Sequence, residues 1–296
     1  MTTDLTSDGS PLRVGTLADD DILKADFERR HELLTRVRNT GIDHLFVADH
    51  ISFPTGCGLD GLIQAATITA LDPVLPIHIG VYLLALRHPL PVARQIAQIC
   101  ESAPGRLHLG IGVGGEDRHE IEICGVDPST RGRRTSESIV ALRKLLTGEA
   151  VSHDCEFFEF EDAIIQPPPS PAVPMVVGGR ADAAIRRAAL LGDGWLGVWC
   201  SPKRYRVVTE QIEAISAERT IDKPATWDHG LQVWVGLDDD REKARERLAA
   251  RMQGMYRIPF EPFERYSPYG SPAEIADFLA PYLDSGCRHL NVMPVA

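Results

Sequence analysis

Residues 77–113 read IHIGVYLLALRHPLPVARQIAQICESAPGRLHLGIGV, and this stretch decides the fold of the chain. It begins and ends with apolar runs rich in β-branched residues, "IHIGVYLL" at 77–84 and "RLHLGIGV" at 106–113. Between them Val92, Ile96 and Ile99 recur at the spacing of an amphipathic helix. A strand, a helix and a second strand in this order predict a right-handed βαβ crossover, in which the two strands are parallel.

The same alternation of strand and helix continues along the chain. Six further runs have strand character, at 12–17, 44–48, 174–179, 194–199, 231–237 and 289–295. Their nearly continuous apolar character is typical of a parallel sheet that is covered on both faces. Eight such units in 296 residues predict a (β/α)8 TIM barrel, with a doubly wound open sheet as the alternative. We expect residues 1–296 to form a single domain.

Two irregularities interrupt the repeating pattern. Residues 115–173 form a long insertion between the fourth and fifth strands, with a helix predicted near 133–147 and a hairpin around "CEFFEF" at 155–160. An insertion of this length on a barrel usually shapes a functional site. The chain also stops directly after the eighth predicted strand. We therefore expect a partner subunit to cover that wall, as in a homodimer.

The composition restricts the class of partner. With 31 basic and 42 acidic residues the net charge is −11, which disfavours nucleic acid and anionic membranes as partners and leaves a small-molecule substrate. The first eleven residues lack the features of a signal peptide, and no apolar run approaches ~18 residues. Six scattered cysteines without C-x-x-C spacing suit a reducing cytoplasm better than disulfides or a zinc site. We expect a soluble cytoplasmic protein without a bound metal.

The segment "HLFVADH" at 44–50 ends on two groups that are costly to bury without partners, the carboxylate of Asp49 and the imidazole of His50. In a barrel the carboxyl ends of the strands meet at one mouth. An imidazole with a pKa near ~6.5 can act as an acid or a base there. Adjacent residues of an extended chain point to opposite sides, so one is expected to hold coenzyme or backbone donors while the other faces the substrate. The alternative is an aspartate that caps the next turn and a histidine in solvent.

Two glycine-rich segments follow later strands. "GIGVGG" at 110–115 matches G-x-G-x-x-G, but an acidic loop follows instead of a packed helix, so it predicts close approach to a flat ligand or a tight turn rather than NAD binding. "VVGGRADAAIRRAALLGDGW" at 176–195 places two glycines and Arg180 before a helix. This pattern fits a phosphate site and equally a short βα turn.

Motifs of other enzyme classes are incomplete. "HEIEI" at 119–123 lacks the second histidine of H-E-x-x-H, and no G-x-S-x-G occurs, so zinc peptidases and α/β-hydrolases are disfavoured. A metal-dependent barrel hydrolase that uses scattered histidines and aspartates remains an alternative.

Taken in order, "ADH" at 48–50, residues 75–115, "GRRTSESIVALRKLLTGE" and "VPMVVGGRADAAIRRAALLGDGW" resemble the bacterial-luciferase-like superfamily of (β/α)8 flavin and deazaflavin enzymes. The resemblance covers nearly the whole chain. The compact length is more similar to the oxidoreductases that depend on the deazaflavin coenzyme F420 than to the longer flavin monooxygenases. The resemblance implies hydride transfer between the coenzyme C5 atom and a small organic substrate, with a reduced-FMN monooxygenase as the alternative.

The resemblance also implies roles for individual residues. His50 would lie near the redox carbon of the coenzyme as acid or base, with Asp49 beside it. A cis peptide between Gly80 and Val81 would support the ring. The other residues assigned to coenzyme binding are Leu83, Gly112, Val113 and Gly114 near the ring and Gly178, Gly179 and Arg180 at its phosphate.

One difference concerns a second catalytic group. Some sugar-phosphate-oxidising relatives carry a glutamate immediately after the glycines of the fourth strand, where this chain has Gly115. Glu116, one position later, and Glu120 are therefore the further candidates for acid and base.

Overall fold

The computed structural model describes residues 11–53, 58–115 and 117–296, and these residues contain eleven strands. Eight of them form the barrel, while β5 and β6 make a separate hairpin and the two-residue β10 lies beside β9. In chain order the strands are β1 (Arg13–Leu17), β2 (His44–Val47), β3 (Ile77–Leu83), β4 (Leu107–Gly112), β5 (Val151–Asp154), β6 (Glu159–Ala163), β7 (Met175–Gly178), β8 (Gly194–Val198), β9 (Gly230–Leu237), β10 (Tyr269–Gly270) and β11 (His289–Val295).

All eight barrel strands are parallel, and the sheet closes on itself. The order is β1, β2, β3, β4, β7, β8, β9 and β11, and β11 pairs with β1 through Arg13 and His289. The pairing of β8 with β9, which begins at Leu196 and Gly230, closes the ring on the other side. The predicted (β/α)8 TIM barrel is therefore confirmed, and each predicted barrel strand matches an observed one to within one residue at either end.

Helices cover the outside of the barrel. They are α1 (Asp20–Leu23), α2 (Phe27–Asn39), α3 (Gly61–Leu71), α4 (Pro89–Ser102), α5 (Arg118–Ile123), α6 (Arg131–Leu145), α7 (Asp182–Leu191), α8 (Pro202–Ile215), α9 (Arg241–Tyr256), α10 (Glu261–Glu264) and α11 (Pro272–Leu283). Most begin at a side chain that caps free N–H groups. Asp60 accepts hydrogen bonds from Leu62 and Ile63 at the start of α3, and Ser271 and Glu274 form a capping box on α11. Within the described residues no helix is long and apolar enough to cross a membrane.

The amino-terminal end of the barrel is filled by histidine rings. His78 stacks between His44 and His108, with ring centroids 3.7 and 4.2 Å away, and His289 meets it edge-on. Asp228 lies beneath His108 and His289, 3.3 and 3.2 Å from their Nδ1 atoms. Because these side chains start the strands, this polar layer lies at the end of the barrel opposite the mouth.

The insertion between β4 and β7 has the predicted parts. Its helix α6 begins two residues earlier than expected, and β5 and β6 form the predicted hairpin, paired antiparallel. The hairpin tip returns to the start of α6, where the Glu137 carboxylate accepts hydrogen bonds from the N–H groups of Phe157 and Phe158. The short helix α5 of the same insertion reaches the barrel mouth.

Candidate active site

The carboxyl ends of the barrel strands enclose a cavity of about 320 Å³. Every barrel strand contributes to its wall, either directly or through the residue that follows it. Among the lining residues are Ala18, His50, Val81, Gly112, Gly178, Val198, Trp234 and Met293. A largely apolar cavity of this size at the carboxyl end of a TIM barrel is the usual place for an active site.

One wall of the cavity is a bulge in β3. The peptide bond between Gly80 and Val81 is cis, and the pairing register of β3 with β4 shifts between Ile79 and Tyr82. The cis bond inferred from the resemblance is therefore present. The side chain of Val81 projects against two neighbouring strands, and a Cβ atom on Gly112 would lie 2.3 Å from its Cγ2 atom. Only glycine fits beside Val81 at this point.

The Asp49 carboxylate is fully buried and already carries four donors. It accepts hydrogen bonds from the N–H groups of Gly61 and Leu83 at 2.9 and 2.8 Å, and from both terminal nitrogens of Arg87 at 2.7 and 2.9 Å. Burial raises the pKa of Asp49, and Arg87 and the two N–H groups oppose that shift. Asp49 therefore anchors the start of α3 and the end of β3, while its backbone borders the cavity.

His50 faces the cavity and is held from behind by Glu120. Its Nδ1 atom lies 3.0 Å from Oε2 of Glu120, and the other carboxylate oxygen accepts hydrogen bonds from the N–H groups of Ile51 and Ser52 at 2.6 and 3.0 Å. Glu120 is only 3% exposed. Because a carboxylate accepts the bond, the Nδ1 atom carries a proton. Among the described residues no protein group hydrogen-bonds Nε2, which is left for a ligand in the cavity.

The glycines of β4 and β7 border the same cavity. Gly112, Val113 and Gly114 follow one another along its wall, and Gly114 has a φ of +70°. Leu83 lies beside them, and its N–H group is occupied by Asp49. Glu116 lies outside the described residues, so its predicted role stays a prediction.

Arg180 lies at the rim, beyond Gly178 and Gly179. Its guanidinium carbon is 5.4 Å from the ring of Trp199, which lines the cavity and adopts a φ of +45°, unusual for a bulky residue. The N-cap residue of helix α7 is Ala181, which has no side-chain oxygen to cap the first N–H groups. An uncapped helix start beside an arginine can bind a phosphate.

A family model described as luciferase-like monooxygenase matches residues 10–286. The chain belongs to this family. It is 30% identical over 217 residues to 5,10-methylenetetrahydromethanopterin reductase of Archaeoglobus fulgidus, across 72% of this chain but 61% of the reductase. It is 26% identical to F420-dependent glucose-6-phosphate dehydrogenase of Nakamurella multipartita, across 88% of this chain and 84% of the relative. The solved F420-dependent secondary alcohol dehydrogenase, in complex with an F420-acetone adduct, has the same fold, with a TM-score of 0.81, 18% identity, and coverage of 96% of this chain and 93% of that one.

Several residues of this family member contribute to the site in ways that the sequence motifs do not indicate. Arg87, which holds Asp49, follows the 3₁₀ turn after β3, and its guanidinium also stacks 4.2 Å from the centre of the Tyr82 ring. Met255 and Tyr256 reach the cavity from the end of α9. The sequence predicts a loop with aromatic side chains at 252–270, whereas in the structure α9 continues to Tyr256.

The lining carries few ionisable groups apart from Asp49 and His50. Asp19, Asp20 and Arg251 lie at the lip, and Arg251 is the only lysine or arginine among the described lining residues. Residues 1–10, 54–57 and 116 contain no lysine or arginine either. The interior wall is built from aromatic and sulfur-containing side chains, among them Phe53, Trp199, Trp234, Met255 and Met293.

Proposed function

We propose that this protein is a coenzyme F420-dependent oxidoreductase that transfers a hydride between the deazaflavin C5 atom and a small organic substrate. The observation that carries the proposal is the His50–Glu120 pair at a cavity walled by the cis peptide of Gly80 and Val81. Membership of the luciferase-like family and the similarity to an F420-dependent dehydrogenase along most of both chains support it.

The residues of the mouth fit a flat tricyclic ring with a phosphate-bearing tail. Gly112 and Gly178 leave Val81 exposed to the cavity, since a Cβ atom on either would lie within 3 Å of its side chain. Val81 would support one face of the ring, and Val113 and Gly114 would contact its edge. Arg180 and the start of α7 would hold the phosphate. When bound, the coenzyme would supply the hydride acceptor or donor that the protein itself lacks.

His50 would handle the proton that accompanies the hydride. Glu120 keeps a proton on Nδ1, so that Nε2 has a free lone pair that can take a proton from a substrate hydroxyl. The resulting imidazolium would be stabilised by the buried carboxylate, 3.0 Å away. In the reverse direction the same Nε2 would donate the proton. Asp49 is a positioning residue here, because its oxygens are occupied by Arg87 and backbone N–H groups.

The substrate is expected to be uncharged. A phosphorylated sugar needs several cationic side chains around its phosphate, whereas Arg251 is the one such residue on the described wall and is accompanied by Asp19 and Asp20. The aromatic and sulfur-containing wall instead favours an alcohol or ketone with an apolar body.

The second candidate function is a reduced-FMN monooxygenase. The description of the matching family favours it, and an apolar cavity closed by aromatic side chains would also exclude water from a flavin. A metal-dependent hydrolase has less support. In residues 11–53, 58–115 and 117–296 the one group of three metal-ligating side chains lies in the insertion and not at the cavity.

A binding titration separates these functions. Purified protein is titrated with oxidised F420 and, separately, with FMN, while the fluorescence of the ligand is followed. We expect the deazaflavin to bind at micromolar concentration and to be reduced by uncharged secondary alcohols. Micromolar binding of FMN without binding of F420 would overturn the proposal in favour of the monooxygenase. Binding of neither, together with stoichiometric metal at the mouth, would favour the hydrolase.

A further inference from the structure

A group of three metal-ligating side chains lies outside the active site, where the insertion hairpin packs on α6. Glu137 lies on α6 and His153 lies on β5. Cys155 is the first residue after β5. One ligand atom from each lies within 4.8 Å of the other two. None of the three lines the barrel cavity.

His153 is the observation that points to a ligand. Its side chain is only 3% exposed, it stacks on Phe160, and its Nε2 atom is buried without a hydrogen-bond partner. The nearest carboxylate oxygen, Oε1 of Glu137, is 3.6 Å away, which is longer than a hydrogen bond. Buried polar atoms normally have a hydrogen-bond partner. This imidazole nitrogen has none, and a bound metal ion would satisfy it.

The distance between these two atoms suits a shared ion. Two ligands bonded at ~2.0 Å to one tetrahedral ion lie about 3.3 Å apart. Glu137 is also held in place, because its Oε1 atom accepts the N–H groups of Phe157 and Phe158 at 3.0 Å. Cys155 immediately follows the end of β5, two residues after His153, and its sulfur lies within 4.8 Å of the other two ligand atoms. The spacing of the cysteines along the sequence does not predict this metal site, because one ligand lies on α6 and the other two lie at β5.

We propose that Glu137, His153 and Cys155 bind one divalent transition-metal ion of the zinc class and that this ion fastens the hairpin to α6. A thiolate, an imidazole and a carboxylate are a ligand set that Zn²⁺ and Co²⁺ accept, and a water molecule would complete a tetrahedron. The hairpin already packs Val151 and Phe158 into the protein, and the ion would add a polar link between β5 and α6. The ion would be structural, and the proposal is independent of the coenzyme.

The test is a Co²⁺ titration of untagged protein that has first been freed of metal with a chelator. Cobalt bound to a thiolate gives a charge-transfer absorption that reports the cysteine directly. We expect this band to saturate at one ion per chain and to disappear when Zn²⁺ is added in excess. Cys155→Ser should remove the band, and Glu137→Gln should weaken binding at least ~10-fold. Cys155 is exposed, so its replacement leaves the fold intact even if variants of the buried His153 do not fold.

Cys124→Ser is the matched control, because this cysteine is also partly accessible and lies outside the group. It should bind Co²⁺ as the wild type does. Hydrogen exchange supplies a second readout, in which Zn²⁺ should slow exchange of residues 151–163 in the wild type and not in Cys155→Ser. A missing band at stoichiometric Co²⁺, or a band that Cys155→Ser retains, would overturn the proposal. So would Zn²⁺ that binds only at millimolar concentration and protects the hairpin equally in both proteins.

Discussion

The Nδ1 atom of His50 lies 3.0 Å from the carboxylate of Glu120, a residue seventy positions further along the chain. The histidine follows the second barrel strand, whereas the glutamate lies on the short helix of the insertion. The contact therefore fixes the tautomer of a barrel residue from outside the barrel. It also joins two elements of the mouth, since Glu120 accepts hydrogen bonds from the two N–H groups after His50.

Glu120→Gln should reverse the tautomer of His50. The amide oxygen can still accept the N–H groups of Ile51 and Ser52, but the amide nitrogen would then donate to Nδ1 and leave the proton of the neutral ring on Nε2. Loss of the proton acceptor should lower turnover of an alcohol by ~10²–10⁴-fold. Affinity for the coenzyme should change less than ~3-fold, because the carboxylate faces away from the cavity. Steady-state kinetics and a fluorescence titration measure the two quantities.

His50→Ala and the double variant complete this experiment. The two losses should not add, because Glu120→Gln keeps the bonds to Ile51 and Ser52 and changes turnover through His50 alone. Glu122→Gln, on the exposed face of the same helix, is the control and should retain full turnover. Full turnover in Glu120→Gln would show that the carboxylate has only a structural role.

Gly112→Ala should disturb the wall that carries Val81. The added methyl group would lie 2.3 Å from Cγ2 of Val81. The Val81 side chain must therefore move, and either direction changes the surface on which the coenzyme ring would pack. We expect coenzyme affinity to fall by ~10-fold or more. Gly254→Ala in α9 is the control, because the added methyl group would meet no atom within 4 Å. This variant should bind the coenzyme normally. It should be at least as stable as the wild type, because a glycine within a helix is destabilising. Unchanged affinity in Gly112→Ala would place the ring elsewhere.

Arg180→Ala should weaken binding of the phosphate-bearing coenzyme while leaving the bare deazaflavin chromophore unaffected. An arginine that pairs with a phosphate contributes a charge-assisted bond, so we expect a loss of ~10- to 100-fold in affinity. Arg186→Ala, on the outer face of α7 and paired with Glu218, is the control. Equal losses for the two ligands in Arg180→Ala would show that the arginine supports Trp199 instead of binding phosphate.

The buried histidines at the amino-terminal end of the barrel, among them His229 just before β9, should make the protein sensitive to mild acid. Burial lowers the pKa of His44 to about 3, of His108 to about 4 and of His229 to about 3, and it lowers the pKa of His78 well below 6.5. Between about pH 4 and 6.5 the unfolded chain therefore binds protons that the folded chain excludes. Stability is lost as the pH falls through this interval. Each histidine should lower the free energy of unfolding by about 1 kcal/mol between pH 7 and 5.5.

Urea unfolding at pH 7.0 and 5.5 measures this effect. His78→Phe keeps a ring between His44 and His108 and should reduce the pH-dependent loss by about 1 kcal/mol. His119→Gln changes an exposed histidine and should leave the loss unaltered. Asp228 does not titrate between these two pH values. Burial alone would raise its pKa, but His289, His108 and Arg13 lower that pKa below 3.8. The same loss in His78→Phe as in the wild type would refute the assignment.

The barrel could be predicted from the sequence because each strand is a short apolar run between helix-period segments. Position at strand ends also brought His50, Gly112 and Gly178 to one mouth. The role of Arg87 could not be predicted, because it depends on a turn that returns its guanidinium to Asp49. The sequence predicts Glu120 as a candidate acid or base, but its contact with His50 depends on the path of the insertion. Loop geometry of this kind is set by tertiary contacts and not by local propensity.

Because Glu120 belongs to the insertion and contacts His50, we expect that segment to influence reactivity. Exchanging residues 115–173 for the corresponding loop of a relative would replace the group that orients His50, although none of the described residues of that segment lines the cavity. Chimeras built to change substrate preference should therefore also shift the pH–rate profile, unless the donor loop returns a carboxylate to His50. At the mouth the insertion is thus joined to the barrel by the three hydrogen bonds of one carboxylate, that of Glu120.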